Sequence, residues 1–452
     1  MPDILPLLRT LSPVLPKTSC RQLQRIVVAI LAMTGRITQL GISRWTHKGG
    51  SYRTIQRFFH TTLDWSKIQW RFFERFVYRR DAVYLLAGDE SVVSKSGKHT
   101  YGIGWFFSSI LNTVIPGLAF FSIAIIDVAK RRAHPLSVQQ VIRSEEEKEQ
   151  TRQRKHKPKP SAPKRQRGRP KGSKNKNKAD LTLSPELQRI LAQGQDVMDL
   201  IREKLNITYF VLDGHFGNAF ATSMVRQMRL HIISKMPHNA ELYLRPTQEE
   251  KAEHPRLKYG ARIDYKHLPE KLRVSSTTEG DYCTEVYQAT CLHKHFADLI
   301  NLVIIVRTHL PSARVGHVVL FSSDLSLSAL TLIDYYALRF QIEFTFRDAK
   351  QYFGLEDFMG VKEISIHNAV GLSFFMVNLS RHLLDGLRTS YAGAGINDLK
   401  CFYRARYYMS EVLKCVPENA GGISYSDLIE QVCRHALIHP KQNNGCDLEL
   451  AA

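Results

Sequence analysis

The chain runs to 452 residues, 44% hydrophobic and 23% charged, enough for two to four domains of about 100–200 residues and a large core. Its 63 Lys and Arg against 42 Asp and Glu leave a net charge of +21, which calls for a polyanionic partner. Seven cysteines lie far apart with no C-x-x-C pair, which excludes a disulfide framework and a zinc ribbon. No signal peptide opens the chain, and its longest apolar stretch, 114–128, is shorter than the ~20 residues of a membrane helix. A reduced, soluble, cytoplasmic protein without a membrane partner is expected.

The first unit, 1–80, reads as helical. LQRIVVAILAM (23–33) carries an apolar stripe at helical spacing, and IQRFF (55–59) follows a Gly-Gly break. The segment between resembles a helix-turn-helix, with an ordinary basic helical bundle as the alternative. With 14 basic and 3 acidic residues, this unit is expected to grip phosphates as a DNA-binding domain.

From Val83 the pattern becomes α/β. VYLLAGDE is fit for a buried strand, further apolar runs lie at 117–127, 207–212 and 301–306, and helical stretches lie at 186–204, 215–229, 328–352 and 365–388. A mixed sheet is expected, its core assembled from 81–145, 184–236 and 326–390. A basic, Pro-rich linker (146–183) and a β-rich insertion (237–325) interrupt it, and an indistinct helical region (391–452) follows.

The linker holds 13 Lys and Arg and no acid over 152–178. Its RGRPKGSKNK resembles an AT-hook, in which an extended Arg-Pro backbone lies in a narrow, A/T-rich minor groove. Arg167, Arg169 and Lys171 are the candidate groove contacts, and a nonspecific polycation is the alternative.

The segment YYALRFQIEFTFRDAK (335–350) places charge in an apolar setting. On one continuous helix at about 100° per residue, Tyr336, Arg339, Glu343, Arg347 and Lys350 form a single stripe beside an apolar face. Asp334, Gln341, Thr345 and Asp348 fall opposite, toward solvent. Such a stripe also suits plain i,i+4 ion pairs. Two further acids, Asp89 and Asp213, end apolar strands, where α/β sheets carry their chemistry. Three carboxylates can hold two Mg²⁺ ions, with Mn²⁺ as a substitute, for phosphodiester displacement.

Tyr336, Arg339, Glu343 and Lys350 in this spacing resemble the Y-R-E-K signature of bacterial insertion-sequence DDE transposases, the insertion-sequence-four superfamily. FSSDLSLSAL before it and FRDAKQYFGLEDF across it are similar to that family. The resemblance implies an RNase H-like core in which Asp89, Asp213 and Glu343 are catalytic and bind metal, with the β-rich insertion between the second Asp and the Glu. It implies that Tyr336, Arg339 and Lys350 contact DNA, and Arg347 shares their stripe. Glu90, directly after Asp89, competes as a ligand. His215 is expected to be a turn residue, and Trp105 a packing residue rather than a stacking surface for an extruded base.

The activity implied is cut-and-paste transposition in the bacterial nucleoid. Double-stranded terminal inverted repeats and target DNA are the partners, and a homodimer forms in the synaptic complex. A nuclease without strand transfer and a non-catalytic AT-hook regulator remain the alternatives.

Overall fold

The computed structural model describes residues 4–46, 49–108, 111–149, 181–414, 424–435 and 437. The AT-hook-like Arg167, Arg169 and Lys171 lie outside these residues.

Five helices open the chain: α1 (Ile4–Arg9), α2 (Lys17–Ala32), α3 (Gln39–Arg44), α4 (Tyr52–Phe59) and α5 (Trp65–Phe76). In α2 the apolar stripe is buried at Leu23, Ile26, Val27, Ile30 and Leu31. Thr38 caps α3 by accepting from Gly41 N, and Asp64 caps α5 by accepting from Lys67 N. These helices share one hydrophobic cluster with the long helix 363–388 rather than closing a core of their own. Trp65 Nε1 donates to Asn368 Oδ1 at 2.9 Å, and Asn378 Nδ2 donates to Gln69 Oε1 at 2.7 Å. At Gly371 the indole of Trp65 comes so close that a Cβ would stand 2.1 Å from its Cγ.

Among the described residues eleven strands form one sheet, ordered β2-β3-β1-β5-β6-β11-β10-β9-β7, with β4 on β3 and β8 on β9. The strands are β1 (Tyr84–Ser94), β2 (Gly104–Ser108), β3 (Thr113–Asp127), β4 (Arg132–Gln140), β5 (Tyr209–Val211), β6 (His231–Met236), β7 (Leu242–Leu244), β8 (Arg273–Glu279), β9 (Tyr282–His293), β10 (Ile300–His309) and β11 (Arg314–Ser322). Pairing is parallel for β1 with β5 and for β5 with β6, and antiparallel elsewhere. The β-rich segment extends this same sheet, because β11 pairs with β6.

Both faces of the sheet centre are covered, which is why β1 and β3 read as apolar runs instead of alternating. Leu85, Ala87, Phe120 and Ala124 pack under the helices after β11. Leu86, Phe121, Ile123 and Phe210 pack under α6 (Pro185–Ile201) and α7 (Ala219–Gln227) on the other face. The apolar stretch at 114–128 is thus strand β3, and among the described residues no helix is long and apolar enough to cross a membrane.

The short helix α8 (Gln248–Glu253) lies between β7 and β8. The stretch expected as one helix over 328–352 is two, α9 (Ala329–Leu338) and α10 (Gln341–Tyr352). At the break, Ile342 N donates to Arg339 O and Glu343 N to Phe340 O, three residues back instead of four. The face expected to be solvated is also partly buried: Thr345 and Asp348 are covered. Asp348 accepts from Arg381 of α11 (Glu363–Arg388) at 3.1 Å, and both side chains are close to fully buried. Sequence position alone hid this, since the partner comes 33 residues later. Helices α12 (Ile396–Lys414) and α13 (Tyr425–His435) complete the described chain.

Candidate active site

Two of the predicted acids arrive on neighbouring parallel strands. β1 and β5 pair Leu86 with Phe210 and Ala87 with Val211, so the same register carried two residues further sets Asp89 beside Asp213. Ala87 and Val211 point into the cluster that includes Ile342, Phe346 and Ala349 of α10. Strand side chains alternate, so Asp89 faces α10 as well. Asp213 lies just past β5 and caps a short 3₁₀ turn, Gly214–Phe216, its Oδ1 accepting from His215 N at 3.1 Å. Its carbonyl accepts from Ser234 Oγ at 2.6 Å, which ties the turn to β6. The turn passes so close to β6 that a Cβ on Gly217 would lie 2.1 Å from Lys235 O.

The third acid comes from the start of α10. Arg339, at the break before it, donates from Nη1 to Asp89 Oδ2 at 3.1 Å and from Nη2 to Glu343 Oε1 at 2.9 Å. One guanidinium therefore spans two carboxylates from opposite sides of the core. Burial pushes the Asp89 carboxyl up to about 6, against the pull of Arg339, and the charges of Asp213 and Glu343 push it the same way. Tyr336, half-buried on α9, hydrogen-bonds Arg339; burial raises its hydroxyl, with Asp213 and Glu343 adding to the rise. The structure thus brings together Asp89, Asp213, Tyr336, Arg339 and Glu343.

It does not bring the rest of the stripe to the same point. Lys350 Nζ donates to Val92 O at 2.8 Å and pairs with Glu356 at 3.6 Å, bracing β1 against the loop after α10. Arg347 pairs with Asp348 at 3.1 Å and lies 4.7 Å from the Phe344 ring centroid. Both were expected at DNA; in this structure each has a partner within the protein. Lys95 was missed. Its ammonium donates to Glu356 O at 2.8 Å and Phe358 O at 2.7 Å, so two lysines hold that loop to β1. The alternation after Asp89 in GDESVVSK was the available signal.

Glu90 points the other way. It sits with Glu186, Arg143 and Arg189, where burial and then Glu186 raise its carboxyl. His215 occupies the turn expected of it, with Nε2 3.3 Å from Glu186 Oε1. Trp105 departs from expectation. It is 64% exposed on β2, opposite Pro116 in a ribbon that runs beyond the end of β1, where nothing described covers it.

Among the described residues no group of three or more His, Cys, Asp or Glu side chains is gathered closely enough to hold a metal ion as it stands. Arg339 fills the space between Asp89 and Glu343 instead. The donors are nevertheless all carboxylate oxygens, one of them strongly desolvated, with a single arginine between them. That set fits a hard divalent cation such as Mg²⁺ once Arg339 turns aside.

Residues 10–290 match the family model described as DDE superfamily endonuclease, more than half of the chain, and the chain belongs to that family. Its class is that of DDE nucleases and transposases, whose substrate is DNA. Asp89 and Asp213 fall inside the matched span, and Glu343 falls beyond it. No curated protein matches the chain.

Proposed function

We propose that the chain is the transposase of an insertion sequence. In this reading it binds terminal inverted repeats in duplex DNA, cleaves their strands, and joins the freed 3′-hydroxyl to target DNA as a homodimer across two ends. The observation that carries it is the convergence of Asp89, Asp213 and Glu343 over the centre of the sheet, where β1 and β5 meet α10, with Arg339 between two of them. Strand order supports an RNase H-like core: β3 runs antiparallel to both β4 and β1, and β1, β5 and β6 run parallel.

Asp89, Asp213 and Glu343 would hold the metal, which when bound supplies charge stabilisation for the attacking and leaving oxygens of the phosphodiester. The protein's own part is positioning. The register of β1 and β5 fixes two carboxylates, the Ser234 bond fixes the Asp213 turn, and the Lys95 and Lys350 bonds fix the loop behind α10. Arg339 and Tyr336 present a guanidinium and a hydroxyl to the strand's phosphate. Further out, α4 exposes Arg53, Gln56 and Arg57 on one side, suited to a duplex groove, and Arg167, Arg169 and Lys171 add a minor-groove grip.

The test is Mg²⁺-dependent nicking of a labelled transposon end by the purified protein, with a gel shift on the same duplex. Glu343→Gln, Asp89→Asn and Asp213→Asn should each lower cleavage by at least about 100-fold while the shift persists. Cleavage by Glu343→Gln at the wild-type rate would remove the triad. Cleavage without joining of the 3′ end to a target plasmid would leave a nuclease alone.

A further inference from the structure

We infer that Arg339 is the built-in counter-ion of the metal site: it must leave Asp89 and Glu343 for a DNA phosphate before a divalent cation can bind, so that metal and DNA load together. The inference rests on the metal reading of the triad above.

Three observations lead to it. Arg339 engages Asp89 Oδ2 and Glu343 Oε1, oxygens that a cation between those carboxylates would need. Its side chain is only 16% exposed, so the guanidinium is a fixed part of the site and not a surface ion pair. The other cations of the stripe have partners outside these two carboxylates, Lys350 at Val92 and Glu356, and the more exposed Arg347 at Asp348. The two occupants are therefore alternatives. A divalent ion placed among these carboxylates meets a positive charge, and Arg339 driven off them needs another anion in a poorly hydrated setting.

A phosphate of an entering strand is that anion, since it accepts a guanidinium in the same two-pronged way as a carboxylate. Arg339 stands at the break between α9 and α10, and Gln341, which follows the break, begins a new helix. Because each ligand removes a cost that the other would face alone, their affinities rise together, and the coupling is reciprocal.

The full-length protein is titrated with Mn²⁺, and the free ion is read from its paramagnetic resonance signal. Arg339→Gln should bind Mn²⁺ about tenfold more tightly than wild type without DNA. Arg339→Lys keeps the charge but cannot span both carboxylates, and should fall between the two. Adding Glu343→Gln to Arg339→Gln should abolish the tight binding. A short DNA duplex, corrected for the Mn²⁺ it binds by itself, should raise the wild-type affinity toward that of Arg339→Gln and leave the variant unchanged.

If the duplex raises both proteins equally, or if Arg339→Lys binds like wild type, the counter-ion inference falls. The same holds if Arg339→Gln binds no more tightly while Glu343→Gln still removes metal; the triad then stands without it. If neither wild type nor Arg339→Gln shows Glu343-dependent Mn²⁺ binding, the metal reading itself fails and takes the inference with it. If no Arg339 variant folds, a duplex that leaves the wild-type Mn²⁺ affinity unchanged still overturns the inference.

Discussion

Asp89 is held where its charge is disfavoured, and that has a sign in the pH dependence of stability. Its carboxyl rises from 3.8 to about 6 on folding, chiefly through burial, with Arg339 opposing the shift. Between these two values the folded chain holds a proton that the unfolded chain has released, so stability falls as pH rises through about 4 to 6 and the loss is complete above. With divalent ions chelated, Asp89→Asn should flatten that part of the curve and gain up to about 3 kcal/mol at pH 7, measured by urea unfolding at a series of pH values. An unchanged slope would mean that the carboxylate is better solvated than its burial indicates. This residue was legible in the sequence because a carboxylate closing an apolar run has few structural uses, although β1 itself continues past it to Ser94. Arg339 was legible as a cation four residues before Glu343, but its bond to Asp89 was not, since that acid lies 250 residues earlier.

At the scale of elements, α10 is held between the sheet and α11, and the Arg381–Asp348 pair is the polar link in that packing. Burial lowers the pKa of the arginine, opposed by Asp348, as expected for a charge placed in the core. Arg381→Met should cost about 3 kcal/mol, because it leaves the buried Asp348 with only the more exposed Arg347 as a counter-ion. Arg381→Met with Asp348→Leu should recover most of the loss, and denaturant midpoints of the three proteins would show it. Equal stability of the single and double variants would mean that water reaches Asp348. Helical periodicity read α10 correctly as an amphipathic element but put Asp348 on the wet side. A wheel shows which residues share a face, whereas which faces are covered depends on a helix that arrives later. The break at Arg339–Phe340 was hidden for a related reason: no Gly or Pro marks it, and it follows from packing two short helices against one sheet.

For the whole molecule, charge is divided between jobs. The basic excess of 1–80 and 152–178 leaves the remaining chain slightly acidic, so under the proposed function the grip on DNA and the carboxylate chemistry fall largely to different segments. Deleting 152–178 should leave the core folded and reduce the slope of log affinity against log salt by about 0.9 for each phosphate that the linker had neutralised. Anisotropy of a labelled duplex over a range of salt concentrations measures this, and an unchanged slope would take the linker out of DNA binding. Composition made this division plain, because charge runs are visible without any fold. The continuity of the sheet was not visible, since pairing of β11 with β6 joins segments some eighty residues apart.

That continuity bears on how the protein can be divided. The family match stops at residue 290, inside β9, whose ladder to β10 runs from Ile300–Cys291 to His309–Tyr282. A chain trimmed to the matched residues would lose β10, β11 and the Glu343 helix together. The backbone amides and carbonyls of β6 that β11 now satisfies, and those of β9 facing β10, would become open sheet edges flanked by apolar side chains. Such edges recruit strands from other molecules. The boundary of recognisable kinship is therefore not a boundary of folding, and a fragment cut there would be expected to aggregate before it could be assayed.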